Sequence, residues 1–155
     1  MYQWWVFLHL IGVFGFLTAH GVSVGVAFKL RRERNPERIH ALQELSSGSI
    51  RLFYVSMLLL LAGGIVAGFQ GHWWGQKWIW TALIVLVVTS VVMGIIATPY
   101  YRRLGFVARA KAGGSTAVSD EQFAAILSSS VPFVLAAVGF GAIIFILYLM
   151  VFKPW

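Results

Sequence analysis

Long uncharged apolar runs alternate along this chain with shorter segments in which the charges are bunched. The runs are Trp4–Phe28, Leu52–Phe69, Trp78–Thr98 and Val131–Phe152, each 18 to 25 residues long. A helix needs roughly 20 apolar residues to cross a hydrocarbon core about 30 Å thick. The pattern therefore predicts an all-α membrane protein: one domain, residues 1–155, built as a four-transmembrane-helix bundle from two helical hairpins. Spans are expected at about 4–28, 52–69, 78–98 and 131–152, with loops at 29–51 and 99–130.

The charges orient the bundle. Lys29, Arg31, Arg32, Arg34, Arg38 and Arg51 flank the first connection, and Arg102, Arg103, Arg109 and Lys111 lie in the third. Only Lys77 and Lys153 fall on the opposite side. The positive-inside rule puts the two basic loops in the cytoplasm, with both termini and the short loop Gln70–Lys77 outside (N-out, C-out). The five acids, Glu33, Glu37, Glu44, Asp120 and Glu121, share the cytoplasmic loops. Trp4, Trp5, Trp73, Trp74, Trp78, Trp80 and Trp155 form a belt at the outer interface, where an amphipathic indole is stable. Tyr54, Tyr100 and Tyr101 mark the inner edge.

The two hairpins share a plan. After the first basic run, Asn35-Pro36 offers an N-cap followed by Pro at the first helical position, and a polar helix leads through Ser46–Ser49 into span two. After the second, the linker Gly113-Gly114-Ser115-Thr116 precedes Ser119, which forms a capping box with Gln122, and a short polar helix leads through Ser128–Ser130 into span four. Spans two and four are expected to continue into the cytoplasm as helices, with Pro132 kinking the second continuation. A parallel repeat would follow if the likeness is a duplication. Gly21-x-x-x-Gly25, Gly64-x-x-x-Gly68, Gly139 and Gly141 are the candidate close-packing positions.

Composition narrows the function. At 59% hydrophobic and 11% charged residues, the chain lies outside the range of soluble domains. The net charge of +7 is then a topology signal, and no nucleic-acid partner is expected. No cysteine is present, so thiolate sites and disulfides are excluded. The first apolar run lacks a basic leader and is too long for a signal-peptide core, so it reads as a retained span.

The spans hold no Asp, Glu, Lys or Arg, which leaves histidine as their ionisable chemistry. His9 and His20 are eleven residues apart in span one, so they share one helix face, about 16 Å apart along the axis. Buried neutral imidazole is a candidate axial ligand of haem iron. Gly12 would leave room beside His9 for a flat macrocycle. His72, just past the outer end of span two, is the expected second ligand, with Trp73, Trp74 and Trp78 as walls. His20 would mark a second haem or a quinone. Arg51, at the inner mouth of span two, is a candidate partner for a propionate or other anion. His40 reads as a solvated helix residue. Copper is the alternative metal, through the histidines His9, His72 and His20, since Met1, Met57, Met93 and Met150 are scattered.

The opening Phe7-Leu8-His9-Leu10-Ile11-Gly12, the basic end Lys29-Leu30-Arg31-Arg32 and the two-hairpin layout resemble a bacterial family of uncharacterised four-span integral membrane proteins. More distantly, the Leu-His start is similar to copper-resistance D-type membrane domains and to the J-type membrane protoporphyrinogen oxidase. The latter likeness implies haem at His9. That enzyme's pattern continues with an Arg and a second His, where this chain reads Gly25-Val26-Ala27-Phe28-Lys29-Leu30. The resemblance implies the bacterial cytoplasmic membrane as the location. Together the residues and the resemblance lead to a b-type haem protein of membrane electron transfer, with quinone or a redox protein as partner and a homodimer as a plausible assembly. A tetrapyrrole or quinone oxidoreductase, and a non-enzymatic accessory or copper-handling protein, are the alternatives.

Overall fold

The computed structural model describes residues 1–115 and 117–154; Thr116 of the linker and Trp155 of the aromatic belt lie outside the described residues. The described chain is helical throughout: α1 (Tyr2–Arg32), α2 (Pro36–Gln70), a 3-10 turn (Trp73–Gly75), α3 (Lys77–Ala112), α4 (Asp120–Leu127) and α5 (Val131–Phe152). Four helical segments are long and apolar enough to cross a membrane, the fourth running from Asp120 through α5.

The helices outrun the apolar stretches. The connection 29–51, expected to hold a polar helix leading into span two, is helix except at Glu33–Asn35. There Asn35 caps α2, its Oδ1 accepting from the N–H groups of Glu37 (2.9 Å) and Arg38 (3.3 Å). The Glu33 carboxylate accepts from the N–H groups of Asn35 and Arg34, which hold its pKa below the ordinary carboxylate range. Helix α3 likewise runs on to Ala112, through Pro99, whose missing N–H leaves the Ile95 carbonyl without its usual helical partner. The fourth span behaves differently. Ser119 caps α4, accepting from Gln122 N–H at 3.2 Å. The helix then stops at Ser128, and Pro132 opens a new one in the first turn of α5 rather than kinking a continuous one.

These cytoplasmic ends fold into a cap with its own core. Val26 and Leu30 of α1, Ile39 of α2, Leu104, Val107 and Ala108 of α3, and Phe123, Ile126 and Leu127 of α4 pack together with Val118. The Lys111 ammonium donates to Asp120 at 2.6 Å, which lowers the Asp120 pKa and ties the end of α3 to the start of α4.

Within the membrane the hairpins are held differently. α1 and α2 run antiparallel in nearly constant register, from Trp5 and His9 against Gly63 to Ser23, which hydrogen-bonds Ser49 at 3.1 Å. A Cβ at Gly12 would stand 2.3 Å from Leu60 N, one at Gly15 2.3 Å from Ser56 Oγ, and one at Gly63 2.7 Å from His9 N. The backbones therefore meet at Gly12 and Gly63, Gly15 makes room for the Ser56 side chain, and Gly21 and Gly25 have nothing within 4 Å. The expected Gly21-x-x-x-Gly25 contact is not used, because that face of α1 is turned away from α2. The second hairpin pairs α3 with α5, with Trp78, Ile79 and Ala82 against Leu149.

Substituting Gly12 by Val should destabilise the protein by about 1–3 kcal/mol, the usual range for overpacking. Gly21→Val should leave the thermal unfolding temperature of the detergent-solubilised protein unchanged.

Candidate functional site

Where α1–α2 and α3–α5 diverge toward the outer end, they enclose a cavity of about 400 Å³. Its walls are aliphatic and aromatic, drawn from all four long helices and the outer turn. That volume lies within the range of small-molecule and cofactor sites.

His9 lines this cavity. Its Nδ1–H donates to the Leu60 carbonyl at 2.7 Å, across the α1–α2 contact. The Leu60 oxygen can only accept, so this bond places the proton on Nδ1 and leaves Nε2 with its lone pair. The ring is seated on glycine: a Cβ at Gly64 would come 2.8 Å from Nδ1. Sequence, packing and tautomer are thus linked. Gly63 and Gly64 let α2 close on α1, that approach brings Leu60 within reach, and the hydrogen bond presents Nε2 as the ring nitrogen left for a ligand.

Trp73, Trp74 and Trp78 form the outer end of the cavity. Trp78 is almost fully buried, its Nε1–H donating to Gln76 at 3.2 Å. Tyr2 meets the Trp73 ring edge-on at 5.8 Å. These indoles are wall residues as much as interfacial anchors, unlike Trp4 and Trp80, which are more than half exposed.

The structure separates the remaining histidines from this place. His72 caps the 3-10 turn in the left-handed region (φ 55°) and is exposed, outside the cavity lining. The expected His9–His72 pair is not formed, because the turn that follows Phe69 directs His72 outward. In its place the lining offers Met150, whose thioether is a known haem ligand type alongside histidine. Gly12 lies against Leu60 rather than beside an open face, so it serves helix packing and gives no room for a macrocycle. Arg51 is exposed near the middle of α2 and does not line the cavity.

His20 is 92% buried by side-chain packing, with only 8% exposure. It lies on α5: a Cβ at Gly139 would stand 2.6 Å from both Cε1 and Nε2, and Phe140 meets the ring edge-on at 5.3 Å. Nε2 has no hydrogen-bond partner among the described residues. The imidazole fills the notch at Gly139, and His20 does not line the cavity, so no porphyrin-sized space opens beside it. His40 pairs with Glu44 at 3.7 Å one turn along α2, as a solvated helix residue would. Among the described residues no three His, Cys, Asp or Glu side chains gather.

Lys153 was missed in the sequence. It lines the cavity mouth, with Nζ 4.1 Å from the Trp73 ring centroid and 5.8 Å from that of Trp78. Its spacing from Ile146 and Met150 on α5 was the available signal.

The Gly139 notch should be specific. Gly139→Ala is expected to destabilise the protein by about 1–3 kcal/mol. Combining it with His20→Ala should restore part of that loss, as a double-mutant cycle with a coupling of roughly 1 kcal/mol or more.

No curated protein and no solved structure matches the chain. A family model does, over residues 4–154, and so across all four membrane-crossing helices. The chain belongs to the family described as "Predicted integral membrane protein (DUF2269)".

Proposed function

We propose that this multi-pass membrane protein holds a flat apolar cofactor of the b-type haem class in the outer cavity, with His9 Nε2 as axial ligand, and serves redox chemistry in the membrane. The observation that carries the reading is the His9–Leu60 hydrogen bond on the cavity wall, which fixes the tautomer a metal ligand needs. Three further features agree with it. The walls are apolar and aromatic, Met150 supplies a second soft donor, and a cation stands at the mouth. Bound there, haem would supply one-electron chemistry. The chain's own part is to hold the imidazole, exclude water and set the low-dielectric surroundings. The likeness of the Leu-His opening to the J-type enzyme points the same way, and electron partners would be quinone or a redox protein.

A second reading rests on the same bond. A histidine that joins two helices through a backbone carbonyl contributes to packing, at about 1 kcal/mol. On that reading the protein is a non-enzymatic accessory component, and the cavity is lipid-filled.

The visible spectrum separates them. Protein purified from haem-replete cells should show a Soret band and about one haem per chain by pyridine haemochrome, the stoichiometry of a single-ligand histidine site. His9→Ala should lose the haem while the protein stays in the membrane, and Met150→Leu should shift the reduced spectrum. Wild-type protein without a Soret band would leave the accessory reading.

A further inference from the structure

We infer that the occupant of the outer cavity is an amphiphile bearing an acidic group, and that Lys153 is its counter-ion. The inference deepens the cofactor reading above and rests on the same cavity, though it does not require iron.

The argument starts from charge. Every Asp and Glu of this sequence lies in the cytoplasmic segments 29–51 and 99–130. The outer end of the bundle therefore has two cationic side chains, Lys77 and Lys153, and no carboxylate side chain. Lys77 opens α3 and is exposed outside the cavity lining. Lys153 differs. It is the residue that ends α5, in the left-handed region at φ 45°, where a side chain other than glycine is strained. Its ammonium is held over the Trp73 and Trp78 rings at the rim of an apolar cavity. The ring faces give an ammonium only part of what an anionic partner would give. A carboxylate arriving with the occupant would complete the shell through a charge-assisted hydrogen bond.

The splay of the helices gives the occupant its route. The side-chain contacts joining α1 to α5 lie toward the inner half: His20 on Gly139 and Phe140, Phe28 on Phe133 at 4.9 Å, and Arg31 over Phe133 at 4.6 Å. Farther out, Leu10 of α1 and Leu147 and Val151 of α5 line the cavity while remaining 46%, 58% and 63% exposed. The cavity thus communicates sideways with the outer leaflet between α1 and α5. An apolar body can slide in from the lipid while its acidic end stays at the interface beside Lys153. Haem, with its propionates, is one member of this class; a long-chain carboxylate is another.

The test uses the full chain in phosphatidylcholine nanodiscs, read by quenching of tryptophan fluorescence. The first probes are iron-free protoporphyrin IX and its dimethyl ester, so that metal ligation plays no part. The free acid should bind roughly tenfold more tightly than the ester, the low end for a charge-assisted bond at a partly open site. Lys153→Gln should remove that preference and leave ester binding unchanged, whereas Lys77→Gln should keep it. The same comparison with a brominated fatty acid and its methyl ester covers the case in which the porphyrin does not enter. An acid preference confined to the fatty acid, and lost in Lys153→Gln, supports the acidic-group inference while counting against haem. Equal binding of acid and ester in both pairs, absence of binding by all four probes, or an acid preference that survives Lys153→Gln overturns it.

Discussion

In a bilayer, two helices approach only as closely as the side chains between them allow, since no hydrophobic drive pushes them together. At Gly12 and Gly63 there are no side chains, and α1 and α2 meet backbone to backbone, while Gly15 admits the Ser56 side chain. The rest of the outer half follows from that approach. It brings the Leu60 carbonyl, already the acceptor of a helix bond, within 2.7 Å of the His9 ring. The second lone pair of a backbone carbonyl is the acceptor available to a polar side chain in lipid, and the contact makes use of it. Without the glycines the imidazole would have neither a fixed orientation nor a fixed tautomer.

The second hairpin is joined to the first at its two ends. At the inner end the cytoplasmic cap gathers all the helices except α5 around Leu30, Ile39, Leu104 and Leu127, each almost completely buried. At the outer end the Trp73–Gly75 turn bridges α2 and α3, with Trp74 packed against Gly68. Between these fixed points the pairs diverge, and His20 in the Gly139 notch marks where they last touch before the cavity opens. Two packed helix pairs joined at both ends leave the cavity as their geometric remainder. The cavity is therefore a property of the whole fold and not of one loop.

Much of this was legible in the sequence, for reasons that differ from residue to residue. The four spans followed from uninterrupted apolar length, and the caps at Asn35 and Ser119 from local chemistry that needs no tertiary context. His9 and the tryptophans at 73, 74 and 78 could be brought to one region because both ends of the argument were depths in a membrane. Depth alone does not give azimuth. That is why His72 was expected to face His9, when the left-handed turn at His72 points it outward. It is also why Gly21 and Gly25 were expected at a contact that the rotation of α1 assigns to Gly12 and Gly15. The polar helices after Asn35 and Ser119 were legible, but their packing into one cap was not: the apolar residues at 29–51 and 99–130 are sparse, and only the fold shows that they converge.

Arg31 carries one more consequence. It belongs to the basic run that sets orientation, yet its guanidinium donates to the Ser129 carbonyl just before α5 and lies over Phe133. The signal read during insertion is thus also a fastener between the first hairpin and the last helix. Only a chain with one hairpin inverted relative to the other would leave that fastener on the far side from its receptor. One side chain therefore serves both the orientation of the first hairpin and its attachment to the last helix.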